Sequence, residues 1–269
     1  MRSIVQEYFG NLFTSEVGEP DPTVLSDVRR CVSQDMNIGL LAPVSHEEIK
    51  EALFQIGDLK ASGPDGQHAV FFKRFWDLLG DSLVTEVLDV VNNCKIPDGW
   101  NDTTIVLIPK VNNPTMVSQF RPISLCNVVY KVISKMLANI LRGILLDIIS
   151  DHQSAFVPGR LIIDNILIAY ESIHRIKKKC GKRGLRAIKL DMHKAYDRVE
   201  WNFLEKIMLK MCFHQRWVQL IMACVSSVRY NVRFNSMETE VFTPTRGILR
   251  GVLCLLTCFC LSRKDSQVC

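Results

Sequence analysis

Asp191 is the residue on which chemistry could turn. It ends the apolar run Leu185 to Leu190, which reads as a β-strand, and Asp197 follows six residues later, after His193, Lys194, Ala195 and Tyr196. A carboxylate at a strand end keeps a fixed direction while staying open to solvent, which suits it to hold a hard divalent cation. Capping of the next helix is the competing use of either aspartate, and the pair alone does not separate the two. Upstream, Arg175 to Arg186 carries seven basic residues in twelve, a connector whose charge attracts a polyanion in a salt-dependent way. The histidines at His68, His152, His174, His193 and His214 lack the paired spacing of metal ligands. Cys254, Cys258, Cys260 and Cys269 crowd into the last 16 residues without forming a complete zinc set at familiar spacing.

The elements that must position these groups follow from pattern. Ser45-His46-Glu47-Glu48 has capping-box spacing, and Ile49, Ala52, Leu53 and Ile56 continue at helical period. The turn Ser62-Gly63-Pro64-Asp65-Gly66 stops that helix. Val70 to Val91 resumes as a helix with Phe71, Phe72, Phe75 and Trp76 on a stripe that reads as core. Thr103 to Ile108 is β-branched and closed by Pro109, hence a strand; Val128 to Ile149 is a long amphipathic helix. Further helices are expected over 161–178, 201–212 and 215–226, and a hairpin over Val228 to Asn235 and Glu240 to Thr243. Residues 14–44 read as a solvated linker with one short helical stretch near Val24 to Val32. Helices followed by strands mixed with helices suit an α+β fold rather than a doubly wound sheet.

Composition narrows the class. Of 269 residues, 48% are hydrophobic and 23% charged, the balance of a globular chain rather than a disordered one. The net charge of +5 is uneven: residues 1–66 hold 5 basic and 11 acidic side chains, so the basic excess lies beyond them, where a polyanionic partner is expected. Met1 to Phe13 has no secretory core, and the densest apolar run, Val252 to Leu261, is about half a membrane span. A nuclear or cytoplasmic chain that does not enter a membrane is the expectation.

The string Ala187-Ile-Lys-Leu-Asp-Met-His-Lys-Ala-Tyr-Asp-Arg-Val-Glu-Trp201 resembles the first palm motif of reverse transcriptases, in the form used by plant LINE-type non-LTR retrotransposons. Four more blocks, in the family's order, strengthen the resemblance. Lys60-Ala-Ser-Gly-Pro-Asp-Gly66 is similar to the family's Lys-Ala-Pro-Gly-Pro-Asp-Gly turn. Ile108-Pro-Lys110 with Phe120-Arg-Pro-Ile-Ser-Leu-Cys-Asn127 and Tyr130-Lys131 resembles the two finger motifs. Gln153-Ser-Ala-Phe-Val-Pro-Gly-Arg160 with Asp164-Asn165 resembles the block before the palm, and Thr243-Pro-Thr-Arg-Gly247 the start of the next palm motif.

This resemblance implies an RNA-directed DNA polymerase with a fingers–palm fold: an incomplete ferredoxin-like palm sheet with helices packed on it. It implies an RNA template, a DNA primer and deoxynucleoside triphosphates as partners. Mg²⁺ is the implied cofactor, two ions clamping in-line attack of the primer 3′ hydroxyl. By motif match Asp191 is the catalytic metal ligand, and Lys110 and Arg121 hold the incoming triphosphate. Gly159 and Arg160, with Arg246 and Gly247, fall on the template and primer side. Tyr196 stands beside the incoming sugar, and Asp197 supports the metal site from behind.

The chain then departs from the family. After Gly247 the family continues toward Gln-Gly-Asp-Pro-Leu-Ser-Pro-Tyr-Leu-Phe, whereas here Val252 to Cys260 reads Val-Leu-Cys-Leu-Leu-Thr-Cys-Phe-Cys. With suitable codons, one inserted base turns that stretch into Asp-Pro-Leu-Ser-Pro-Tyr-Leu-Phe-Leu, so residues 252–269 read as an out-of-frame tail. No Tyr-x-Asp-Asp motif occurs in the 269 residues. The expected division is 1–44 linker-like, 45–180 fingers and start of palm, 181–251 partial palm and 252–269 tail, in a truncated chain inactive and aggregation-prone by itself. A non-catalytic nucleic-acid-binding protein derived from a retroelement is the alternative.

Overall fold

The computed structural model describes residues 2–16, 18, 25–26, 28–150, 153–154, 157, 159–178, 186–188, 194–235 and 237–249. Asp191, half of the strand expected before it and the tail 252–269 lie outside these residues.

A four-stranded mixed sheet organises the fold. Its strands are β1 (Asp102–Pro109), β2 (Phe120–Cys126), β3 (Arg229–Phe234) and β4 (Met237–Glu238), in the order β2-β1-β3-β4. β1 pairs antiparallel with β2 and parallel with β3, and β4 returns antiparallel to β3. Pro122 is tolerated because β2 is an edge strand. The register divides the sheet into two faces. Thr103, Ile105, Cys126, Tyr230 and Val232 turn to the buried side, while Asp102, Ile108, Arg121, Arg229 and Arg233 share the other.

Helices supply the rest of the core: α1 (Arg2–Phe13), α2 (Gln34–Leu40), α3 (His46–Phe54), α4 (Ala69–Arg74), α5 (Trp76–Asn93), α6 (Val128–Arg142), α7 (Leu145–Ile148), α8 (Ile162–Lys178), α9 (Trp201–Lys210) and α10 (Gln215–Ser226). The capping box forms as its spacing predicts: Ser45 Oγ accepts from the Glu48 amide at 3.2 Å, and Glu48 Oε2 accepts from the Ser45 amide at 2.8 Å. α6 buries Tyr130, Ile133, Met136, Leu137 and Leu141, and the Tyr130 hydroxyl donates to the Cys224 carbonyl on α10. With Asn101 Nδ2 donating to the same carbonyl, the two helices and the entry to β1 share one buried polar junction.

Several elements differ from expectation. The helix expected from Val128 to Ile149 closes at Arg142, where Gly143 and Ile144 donate back to the Ile140 and Leu141 carbonyls in tight three-residue steps. The helix expected from Val70 to Val91 breaks at Phe75. Trp76 then folds inward over Gly80, while Phe71 and Phe75 remain exposed, so the aromatic stripe is core only in part. In the stretch read as a solvated linker, Leu25 and Ser26 are helical as expected, but Val28 and Val32 are buried, the Cys31 and Val32 amides donate to the Met211 carbonyl, and a further helix follows at Gln34–Leu40 with Ser33 as its cap. Residues 2–13 form α1, whose Val5, Phe9, Leu12 and Phe13 enter the core. α8 is the opposite case: Ile163, Ile166, Leu167 and Tyr170 all lie exposed along it. Among the described residues no helix is long and apolar enough to cross a membrane.

Candidate functional site

Three groups of residues singled out by sequence lie on neighbouring parts of this frame. The first is the β1–β2 hairpin. Ile108 pairs with Arg121, and just past β1 the Lys110 amide donates to the Gln119 carbonyl at 2.9 Å, carrying the ladder one step further. Lys110 and Arg121 therefore project from the same solvent-facing side, one from each arm. The hairpin tip is built by Gln119, whose side-chain oxygen accepts from the Thr115 and Met116 amides, and Lys110 Nζ donates to the Ser118 carbonyl at 3.2 Å. The same face carries Arg229, held by Asp102 through two bonds of 2.7 and 2.8 Å, and Arg233, paired with Glu238. A forked guanidinium and an ammonium on one open face can bind a polyphosphate.

The second group anchors the base of that hairpin. Asn127 closes β2; its Oδ1 accepts from the Asp65 amide at 3.3 Å and its Nδ2 donates to the Gly99 carbonyl at 3.0 Å. Lys131 Nζ donates to the Ala61 carbonyl at 2.6 Å, and burial lowers its pKa. The glycine-proline turn at residues 60–66 is thereby bound by Asn127, at the end of β2, and by Lys131, on α6.

The third group is the palm turn. Tyr196–Arg198 forms a single 3₁₀ turn in which Asp197 is buried and Tyr196 half-buried. The Gly247 amide donates to the Val199 carbonyl at 2.8 Å and the Ile248 amide to the Tyr196 carbonyl at 2.9 Å, so the two palm motifs lie side by side. Gly247 has φ of +92°, and a Cβ there would stand 2.9 Å from the Phe13 ring and 3.0 Å from the Asp197 carbonyl oxygen, which leaves glycine as the residue that fits. The Arg246 guanidinium, 12% exposed, reaches the Leu12 carbonyl and Glu200. Arg160 bonds the Ser150 and Gln153 carbonyls at 2.5 and 2.8 Å, with Gly159 left-handed beside it. Asp191, placed by sequence at the centre of the site, lies outside the described residues; among those described, no group of three His, Cys, Asp or Glu side chains could hold a metal ion.

Asp197 also marks its neighbour. The Tyr230 phenol is raised in pKa, first by burial and then by the charge of Asp197. A phenol raised in the folded state contributes stability that is present below its ordinary pKa near 10 and is lost as the pH rises beyond it. Stability of the chain is expected to fall above pH 10 more steeply than that of a Tyr230→Phe variant. Parallel denaturant titrations of the two would reveal equal slopes if Tyr230 were uncoupled.

Sequence reasoning missed Tyr8, Phe9 and Phe13 as parts of this region. The spacing Val5, Phe9, Leu12, Phe13 is a helical stripe that could have revealed α1.

Comparison with known proteins places these groups in a family. Residues 108–254 match the family model described as reverse transcriptase (RNA-dependent DNA polymerase). The chain is similar to the "Transposon TX1 uncharacterized 149 kDa protein" of Xenopus laevis, 27% identical over 93% of this chain and 19% of that protein. It is similar to a "Retrovirus-related Pol polyprotein from type-1 retrotransposable element R2" of Nasonia vitripennis, 27% identical over 79% of this chain and 20% of the other. A third relative is the "Probable RNA-directed DNA polymerase from transposon BS" of Drosophila melanogaster, 28% identical over 78% of this chain and 23% of its own length. The chain spans about a fifth of the length of these curated relatives. With the model matching more than half of its residues, across the finger hairpin and both palm motifs, the chain belongs to the reverse transcriptase (RNA-dependent DNA polymerase) family.

Proposed function

We propose that this chain carries the fingers and the first part of the palm of an RNA-directed DNA polymerase from a LINE-type non-LTR retrotransposon of plant type. The carrying observation is the hairpin that sets Lys110 and Arg121 on one exposed face. In this reading those two cations hold the triphosphate of the incoming nucleotide. Asp191 ligates a divalent ion, Mg²⁺ by family; Asp197 supports it from behind and Tyr196 lies beside the sugar. Gly159, Arg160, Arg246 and Gly247 shape the backbone that faces an RNA template and a DNA primer. The fingers and start of the palm occupy residues 45–180, the partial palm 181–251 and the tail 252–269, in a chain that works in nucleus or cytoplasm.

Binding of a deoxynucleoside triphosphate with Mg²⁺ tests the proposal. Lys110→Ala and Arg121→Ala are each expected to weaken it about tenfold, the scale of one charge-assisted hydrogen bond. Arg216→Ala, which removes an exposed cation whose guanidinium donates to the Asn92 carbonyl on α5, should leave it unchanged. Equal affinity in all four proteins would refute the assignment. The basic excess beyond residue 66 favours a second reading, nucleic-acid binding without chemistry. A salt-sensitive RNA affinity that survives Asp191→Ala, with no nucleotide binding, would select it.

A further inference from the structure

The helix α1 lies well before the residues that match the family model, yet its contacts run to both palm segments. The last carbonyls of a helix lack partners within it. Here the Leu12 carbonyl accepts from Arg246 Nε at 2.9 Å and the Asn11 carbonyl from a guanidinium NH₂ group at 3.5 Å. The Phe13 carbonyl accepts from the Thr245 and Arg246 amides at 2.9 and 3.1 Å. A cation at this end also suits the helix dipole. Glu200 completes the clasp, accepting from Arg246 at 3.3 Å and from Ser15 Oγ at 2.6 Å, while the Ser15 amide donates to Thr245 Oγ1 at 2.7 Å.

From this clasp the connection continues into the palm turn. Residues 246–248 are tied to it by the Glu200–Arg246 bridge, by the Gly247 and Ile248 amides, and by Trp201 Nε1, which donates to the Gly247 carbonyl at 2.7 Å. The Phe13 ring fills the space left by the missing side chain of Gly247 and packs on Tyr230 with centroids 4.9 Å apart. At the other end of the turn Lys194 has φ of +54°, in the left-handed region that is uncommon for a non-glycine residue. Tyr8 of α1 meets this residue: the Lys194 ammonium contacts its hydroxyl and lies 4.1 Å from its ring centroid.

We infer that α1 is a strut of the palm, and that Arg246 and Tyr8 are positioning residues which act through it to fix the turn Lys194–Glu200. The inference rests on the reading that this turn belongs to the polymerase site, but its test does not require polymerase activity. Lys194 and the exposed Arg198 are trypsin sites within the turn, and the exposed Lys95 is a distant reference site. Under native conditions cleavage tracks the open population at each site. In the full chain, Arg246→Met is expected to raise cleavage after Arg198 about tenfold relative to Lys95, the scale of a lost charged hydrogen bond. Arg246→Lys, which keeps one charged donor, should recover most of the protection. Tyr8→Phe keeps the ring and should raise cleavage about threefold, as for a lost single bond. Leu141→Ala, in α6, should lower the melting temperature without changing the ratio between the two sites, so a general loss of stability does not reproduce the result expected of Arg246→Met. An unchanged ratio in Arg246→Met overturns the inference, as does an Arg246→Lys variant as open as Arg246→Met. Should Arg246→Met not fold, Tyr8→Phe decides: a raised ratio supports the strut and an unchanged one refutes it.

Discussion

Gly63→Ala is expected to destabilise the chain by about 3 kcal/mol or more, among the larger effects a single methyl group can have. A Cβ at this position overlaps Asn127 Oδ1 and the Asn127 backbone nitrogen and stands 2.5 Å from the carbonyl carbon of Cys126. Only the first of these atoms belongs to a side chain that could swing aside. The other two are backbone where β2 passes into α6, and moving them disturbs the finger hairpin and the best-buried helix together. If the turn moves instead, the Asp65–Asn127 and Lys131–Ala61 bonds are lost. At this chain length the change corresponds to a fall in Tm of roughly 6–12 °C. Gly57→Ala, with nothing within 4 Å of the added carbon, is the matched control and should shift Tm little. Similar melting of the two variants would show that the turn is not wedged against the fingers.

The second large effect concerns chemistry. The 269-residue chain is expected to show no primer extension, because one carboxylate at Asp191 cannot supply the ligands of two divalent ions and no Tyr-x-Asp-Asp supplies the others. Recoding from residue 252 in the neighbouring frame, continued through such a motif, should confer Mg²⁺-dependent extension on an RNA template. In that restored protein Asp191→Ala should cost on the order of a thousandfold in rate, the scale of a lost metal ligand. Extension by the 269-residue chain itself, abolished by Asp191→Ala, would show that the proposed frame loss is mistaken.

How far the sequence could be read depended on whether a residue's role is local. The Ser45–Glu48 cap, the strand ending at Pro109 and the helix Gln215–Ser226 are written in neighbouring residues and stand where their patterns put them. The family was legible because five motifs occur in order, and the match over residues 108–254 supports it. What remained hidden is long-range. That the Asn127 side chain would hold Asp65, or that the Arg246 guanidinium would reach the end of a helix more than two hundred residues earlier, depends on partners no local window contains. The break at Phe75 was illegible for a related reason: periodicity runs through it unchanged, and only the packing of Trp76 over Gly80 distinguishes the two helices.

The parallel pairing of β1 with β3 sets a timetable for making this protein. β1 ends at Pro109 and β3 begins at Arg229, so about 120 residues must be synthesised before the inner edge of the finger hairpin finds its partner. At roughly 5–20 residues per second this is a delay of about 6–24 s, long against the microseconds in which the hairpin itself can close. α1 waits longer still, since its end docks only when Thr245 and Arg246 have emerged. Throughout that interval a strand edge and the apolar stripe of Val5, Phe9 and Phe13 are open to other chains. A nascent chain halted anywhere between residues 127 and 228 would have completed its finger hairpin while leaving that hairpin's edge and its first helix unprotected, which makes the pace of synthesis as much a determinant of recovery as the stability of the finished fold.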